Sequence, residues 1–268
     1  MGNKVLEVKD INLTIGSAPI LKNISFDVGQ GQSIGIIGQS GAGKSMTMYA
    51  ISDLLPAGSK ISGEIIFNGS TDIISMKEKE RRQFCSKNVA IILQDSINAL
   101  TPYKKIYDQL QETILHHHDI TKEECKSKIY DLMNIFGIDP DTLGKYPHQF
   151  SGGMRQRIAI ALALESEAKL LIADEPTTSL DVVSQMNFIR FIHKVKEERD
   201  LSLLYISHNL GLVDMLCDYT HVMKNGEIVE SGNTKELFSD PKHEYTKEMV
   251  SETRKLLSGS VREMTGHG

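Results

Sequence analysis

Two short stretches of the chain have residue types and spacing suited to phosphate chemistry. Gly38 to Ser45 reads GQSGAGKS, the pattern G-x-x-x-x-G-K-S, directly after the apolar run SIGII. Glycines 38, 41 and 43 let a backbone curl without side-chain clashes, so that successive N–H groups face phosphate oxygens at the positive end of a helix. Lys44 then reaches the β- and γ-phosphates, and the Ser45 hydroxyl is offered to Mg²⁺. The candidate nucleotide-binding residues here are Gly38, Gln39, Ser40, Gly41, Ala42, Gly43, Lys44, Ser45 and Met46. The second stretch, KLLIADE, is an apolar strand ending in the carboxylates Asp174 and Glu175. Asp174 is placed to hold Mg²⁺, and Glu175, one residue on, to orient and deprotonate a water.

Two more polar residues end apolar runs in the same manner. Gln94 closes NVAIILQ and His208 closes LSLLYISH. Gln94 is a candidate Mg²⁺ ligand, and His208 a candidate donor to the γ-phosphate, since imidazole can donate from either nitrogen. Lys44, Gln94, Glu175 and His208 are thus the candidate catalytic set, with Ser45, Gln94 and Asp174 around the metal. The triple histidine His116 to His118 reads as a solvated helix end, because consecutive helical residues point in different directions.

Strands and helices must alternate to bring these residues together. Branched runs at residues 5–8, 20–28, 33–37, 64–67, 89–93, 170–173, 203–207 and 220–223 read as strands. Helical patterns at 44–55, 154–165, 182–198 and 209–217 fall between them, as in a parallel α/β core, while the earliest strands suggest an antiparallel sheet. Strands give way to polar helical stretches at 104–118 and 122–136, a helical insertion. One further helix is expected over 234–257, with a mobile end after it.

Composition narrows the classes. The 268 residues have a formal net charge of -5, with no basic surplus to neutralise nucleic acid. Cys85, Cys125 and Cys217 are widely spaced, which suggests neither disulfides nor zinc and fits a reducing, cytosolic compartment. No apolar stretch approaches the roughly 20 residues of a membrane helix, and the N-terminus lacks a signal core, so any membrane-spanning partner is another chain.

Just before the pattern at 154–165 stands YPHQFSGGMRQR. Ser151, Gly152 and Gly153 make a second anion-binding helix start, and one chain has no need of two γ-phosphate cradles. With this segment the chain resembles the ATP-binding cassette (ABC) family, in the family's motif order: Gly38–Ser45, Gln94, Ser151–Met154, Asp174-Glu175, Ser179-Leu180-Asp181 and His208. The resemblance implies an α/β P-loop NTPase (RecA-like) core with an antiparallel β subdomain and an inserted α-helical subdomain. It implies ATP and Mg²⁺ as ligands and a head-to-tail dimer in which Ser151 and Gly153 contact the partner's nucleotide and Asp181 couples the two sites. The expected divisions are 1–94 for the core with the β subdomain, 95–155 for the helical signature subdomain, 156–233 for the second part of the core and 234–268 for a helical tail.

Within the family, LQDSINALTPY, YPHQFSGGMRQRIAIALAL and SDPKHEYTKEM resemble ATPases of peptide and nickel importers. That group implies a second, non-identical ATPase subunit, two transmembrane permeases, an extracytoplasmic solute-binding protein met indirectly, and a place on the cytoplasmic face of the membrane. The position that places an aromatic ring under adenine in the family is Ile15 here, which shifts affinity toward the phosphates. Non-transport cassettes of DNA repair or translation are the alternative, opposed by the lack of a long coiled coil or a second cassette. Peptide and metal chelate both stay open as cargo.

Overall fold

The protein is described by a computed structural model that covers residues 3–93, 100–166, 168–178 and 180–265, with side chains through residue 255. Near the N-terminus lies an antiparallel sheet of β1 (Lys4–Ile15), β2 (Ala18–Gly29), β4 (Ser59–Phe67) and β5 (Thr71–Asp72), in the order β2-β1-β4-β5. Its alternation follows from the sequence: Leu6, Val8, Ile11 and Leu13 of β1 are buried, while Lys9 and Asn12 between them are exposed. One face is therefore covered and the other wet.

The second sheet contains β3 (Ser33–Ile37), β6 (Val89–Ile92), β7 (Leu170–Asp174), β8 (Ser202–Ser207), β9 (Tyr219–Lys224) and β10 (Glu227–Asn233). Their order is β10-β9-β3-β8-β7-β6, with every pairing parallel except that of β10 on β9. Strands β3, β7 and β8 are buried along their whole length. That is why they read as unbroken apolar runs rather than as alternation: helices pack on one face of the parallel sheet, and the apolar side of the antiparallel sheet packs on the other. Helices α1 (Lys44–Ile51), α5 (Gly152–Ala163), α6 (Val182–Arg199) and α7 (Leu210–Leu216) connect or flank these strands. The doubly covered parallel core, the antiparallel sheet and the helical insertion together make the α/β P-loop architecture expected.

The insertion holds α3 (Ile106–His117) and α4 (Lys122–Ile135). Thr121 and Glu124 form a capping box that starts α4. Ile106, Leu110 and Ile114 on one helix and Cys125, Ile129, Leu132 and Met133 on the other supply buried stripes at helical spacing. Phe136 then meets Phe191 of α6 edge-on, with ring centroids 4.9 Å apart, and joins the insertion to the core. An ion-pair cluster does the same from the other side. The Glu165 side chain, fully buried just past α5, lies 3.3 Å from Arg199 Nη2 and 3.6 Å from Lys128 Nζ.

Three elements differ from expectation. Helix α2 (Glu78–Asn88) was not legible, because only Cys85 of its residues is buried and no apolar stripe marks it. Helix α1 ends at Ile51, short of Leu55. The tail is two helices, α8 (Thr234–Ser239) and α9 (Glu244–Thr265), rather than one. Pro241 lies in the break, where a proline ring removes an N–H and disfavours helix in the residue before it. Helix α9 also runs to Thr265, through most of the stretch expected to be mobile.

The ion-pair cluster carries a stability prediction. Arg199→Ala leaves the Glu165 carboxylate buried with a single half-exposed cation, and it also removes a donor to Leu164 O. The variant is expected to lose about 2–3 kcal/mol in urea unfolding, with part of the loss recovered when Glu165→Met and Arg199→Met are combined.

Candidate functional site

The parallel register places three strand ends side by side. Strand β8 runs between β3 and β7, with Ile37 level with Ser207 and Asp174 level with Ile206. Whatever leaves these strands at their C-terminal ends must meet above the sheet edge, the usual ligand position in open α/β sheets. The residues that do so are Gly38–Ser45 after β3, Asp174 and Glu175 at the end of β7, and His208 after β8. Gln39, Ser40, Gly41, Gly43, Lys44, Ser45, Met46, Asp174, Glu175 and His208 line one cleft of about 810 Å³, with Ile20 from β2 beside them.

Close packing shapes the loop. Gly38 lies so near β9 that a Cβ would sit 2.3 Å from Met223 O, and at Gly43, with φ of 105°, a Cβ would sit 2.8 Å from Leu21 Cδ2. Only glycine fits either position. Ala42 is turned inward and buried at 5% exposure, and its carbonyl accepts the Gly226 N–H at 3.0 Å. Lys44 is buried too: its Nζ donates to Gly38 O at 2.8 Å and Gln39 O at 3.0 Å, so the ammonium is wrapped by its own loop. Burial lowers its pKa, against the charges of Glu175 and Asp174, which raise it. The first N–H groups of α1 have no acceptor within the helix and stand at the positive end of its dipole. A buried cation beside such a helix start is suited to polyphosphate.

The two carboxylates sit in different surroundings. Glu175 has a left-handed backbone, φ 45°, an arrangement that costs a non-glycine residue about 1–2 kcal/mol. Its N–H still extends the ladder by donating to Ile206 O at 2.9 Å. His208 Nδ1 lies 2.9 Å from Glu175 Oε1, and the Thr178 hydroxyl donates to Oε2 at 3.1 Å. Burial pushes the Glu175 pKa up, but the His208 hydrogen bond and charge, with Thr178 and Lys44, outweigh it and hold the carboxyl below its usual value. The group is therefore an anion at neutral pH, aimed into the cleft with one neighbour on each oxygen.

Asp174 is the opposite case. Burial pushes its pKa up, the Ser45 hydroxyl and Lys44 pull it down, and Glu175 raises it, with a net rise. Its Oδ1 is buried without a hydrogen-bond partner. An orphaned carboxylate oxygen next to a serine hydroxyl is a hard-oxygen donor set of the kind Mg²⁺ takes, so the residues present fit that ion. Gln94, the third expected metal ligand, lies outside the described residues, as does Ser179.

The remaining expected residues stand elsewhere. Ser151 caps α5, its hydroxyl accepting the Met154 N–H at 3.3 Å, and Gly152 and Gly153 form the first turn. None of the three lines the cleft of its own chain. A Cβ at either glycine would meet nothing within 4 Å, so no packing contact within the described chain requires these glycines. Asp181 caps α6 by accepting from Ser184 N at 2.9 Å and Ser184 Oγ at 2.8 Å. Ile15 closes the β1–β2 turn opposite Ala18 and is absent from the cleft lining, where Ile20 stands instead. Sequence reasoning missed Ile20 and Thr178; the second follows the acidic pair in EPTT and was visible as a nearby hydroxyl.

Comparison with known proteins places the chain in a family. The family model described as "ABC transporter" matches residues 21–178. The oligopeptide transport ATP-binding protein OppD of Bacillus subtilis is 38% identical over 98% of this chain and 75% of its own length. The metal-staphylopine import system ATP-binding protein CntD of Staphylococcus aureus is 35% identical over 94% of each chain. Among solved structures, cbiO1 of Clostridium perfringens, part of the ABC transporter complex cbiONQ, superposes with a TM-score of 0.80 at 26% identity, covering 89% of this chain and 92% of that one. A family match over more than half of the chain, with relatives of more than a third identity along nearly all of it, establishes that this protein belongs to the ABC transporter family and is one of its ATPase subunits.

Proposed function

We propose that the chain powers solute import as half of a head-to-tail pair of cassettes beneath two permease subunits, on the cytoplasmic face of the membrane, with peptides or metal chelates as cargo. The observation that carries this reading is the separation of two glycine-lined helix starts: the loop before α1 lines the cleft with the carboxylates, while Ser151, Gly152 and Gly153 are not part of its lining. A second chain turned end to end would bring its own Ser151 and Gly153 over this chain's nucleotide, with Asp181 at the seam. The names of the relatives, oligopeptide transport and metal-staphylopine import, favour transport over repair or translation and support either cargo. No helix among the described residues is long and apolar enough to cross a membrane. The insertion around Gln94 to Gln149 is proposed as the unit that faces the permease subunits, and the non-identical partner ATPase is part of the same reading.

In the cleft, Lys44 leaves its loop carbonyls for the β- and γ-phosphates, and the α1 N–H groups take the remaining charge. Ser45 and Asp174 would hold Mg²⁺, which would offset charge on the phosphate oxygens. Glu175, kept anionic and oriented by His208 and Thr178, accepts a proton from the attacking water. Contacts from Ser151 and Gly153 exist only with the γ-phosphate present, which gives ATP the differential affinity for the closed pair that a population shift requires. Closure moves the helical insertions, and hydrolysis reopens the pair.

Two outcomes test this. Glu175→Gln keeps the shape and both neighbours but removes the base, so turnover should fall by at least about a hundredfold while ATP binding persists and an ATP-stabilised dimer accumulates in size-exclusion chromatography. Ordinary turnover in that variant rejects the base assignment. Ser151→Glu puts a carboxylate where a phosphate is expected across the interface. It should abolish ATP-dependent dimerisation while leaving nucleotide binding to the single chain unchanged, read by the same chromatography and by equilibrium titration.

A further inference from the structure

The tail segment SDPKHEYTKEM stood out in the sequence by resemblance alone, and the hydrolysis chemistry does not use it. The structure brings one of its side chains to the phosphate loop. The Gln39 N–H donates to Tyr245 Oη at 2.8 Å, across a separation of 206 residues in sequence. Tyr245 is 4% exposed and packs with the core beside Met249 and Val250, so it is not a mobile surface group. Lys224 Nζ lies 4.7 Å from its ring centroid, on the strand whose Met223 carbonyl abuts Gly38.

The tail is itself fastened where it approaches the loop. Both oxygens of Glu230 accept from the turn that starts α9: Oε1 takes the Lys242 N–H at 2.7 Å and Oε2 the His243 N–H at 3.1 Å. His243 Nδ1 in turn accepts the Tyr245 N–H at 3.2 Å. The backbone of Gln39 is then held at both of its peptide groups, its N–H by Tyr245 and its carbonyl by Lys44 Nζ at 3.0 Å and the Ala42 N–H at 3.2 Å. When nucleotide draws Lys44 away, the hold on the carbonyl weakens, whereas the phenol can keep its grip on the N–H.

We infer that Tyr245 is a positioning residue for the phosphate loop, through which the C-terminal helix fixes the Gln39 peptide in the conformation that receives a polyphosphate. This rests on Gly38–Ser45 as the nucleotide cradle. A loop fixed in advance spends less of the binding free energy on ordering, so the residue acts on nucleotide affinity rather than on the hydrolytic step.

Tyr245→Phe in the full chain keeps the ring and removes only the acceptor. Met249→Ala serves as the control: it loosens the same helix without touching the loop. Titration with ATP and Mg²⁺ well below the melting temperature should show the Kd of Tyr245→Phe raised about five- to tenfold, the effect of one lost hydrogen bond. In steady state KM should rise by the same factor with kcat within twofold, while Met249→Ala lowers the melting temperature and keeps Kd within twofold of the unaltered protein. An unchanged Kd in Tyr245→Phe overturns the inference, and so does an equal rise in both variants, which would trace the effect to tail stability. Failure of the unaltered chain to bind ATP would instead reject the nucleotide cradle itself.

Discussion

A lysine ammonium held inside a glycine loop is the interaction on which the rest of the site depends. Lys44 is 6% exposed, its pKa is lowered by burial, and its nearest partners are two carbonyl oxygens of the loop that presents it. Carbonyl dipoles compensate a buried cation only in part. The two nearby carboxylates help, but Glu175 is already engaged by His208 and Thr178. The ammonium therefore has neutral carbonyl oxygens as its hydrogen-bond partners at the point where a triphosphate would offer charged ones, and a closely packed frame holds it there.

The frame is the register of three neighbouring strands. Because β3, β8 and β7 are parallel and level, a loop and, well over a hundred residues later in sequence, an acidic pair and a histidine end within reach of one another. Close packing sets the details. Gly38 and Gly43 admit no side chain, and the left-handed turn at Glu175 redirects a carboxylate that a regular strand would send to the other face. Strain of about a kilocalorie per mole at one residue is small against the burial of whole strands, so the fold can sustain it. The second glycine pair, at 152 and 153, has no such local reason. Its openness directs attention to a surface outside the chain.

Much of this was legible in the residues. The loop spacing, the carboxylates ending KLLIADE and the histidine ending LSLLYISH each join a local pattern to a fixed place at a strand end, and parallel topology does the rest. What stayed hidden depends on contacts between distant segments or on turns that break a pattern. Ile20 reaches the cleft from β2, in the other sheet, and no local pattern in the sequence announces that contact. Helix α2 lacks an apolar stripe because almost all of it faces water. The Glu165 cluster joins three helices through charges that look like ordinary surface residues in sequence, and the Tyr245 contact spans 206 residues of the chain.

The most direct test of the account is the ATP affinity of Lys44→Met. Methionine keeps the length and apolar stem of the side chain and removes its charge and donors, so the loop can stay folded around it. The expected result is an unchanged or slightly raised melting temperature without nucleotide, with ATP affinity about ten- to a hundredfold weaker, the range for lost hydrogen bonds from a charged group. Affinity for ATP equal to that of the unaltered chain would contradict the claim that this buried cation is what the loop is built to present.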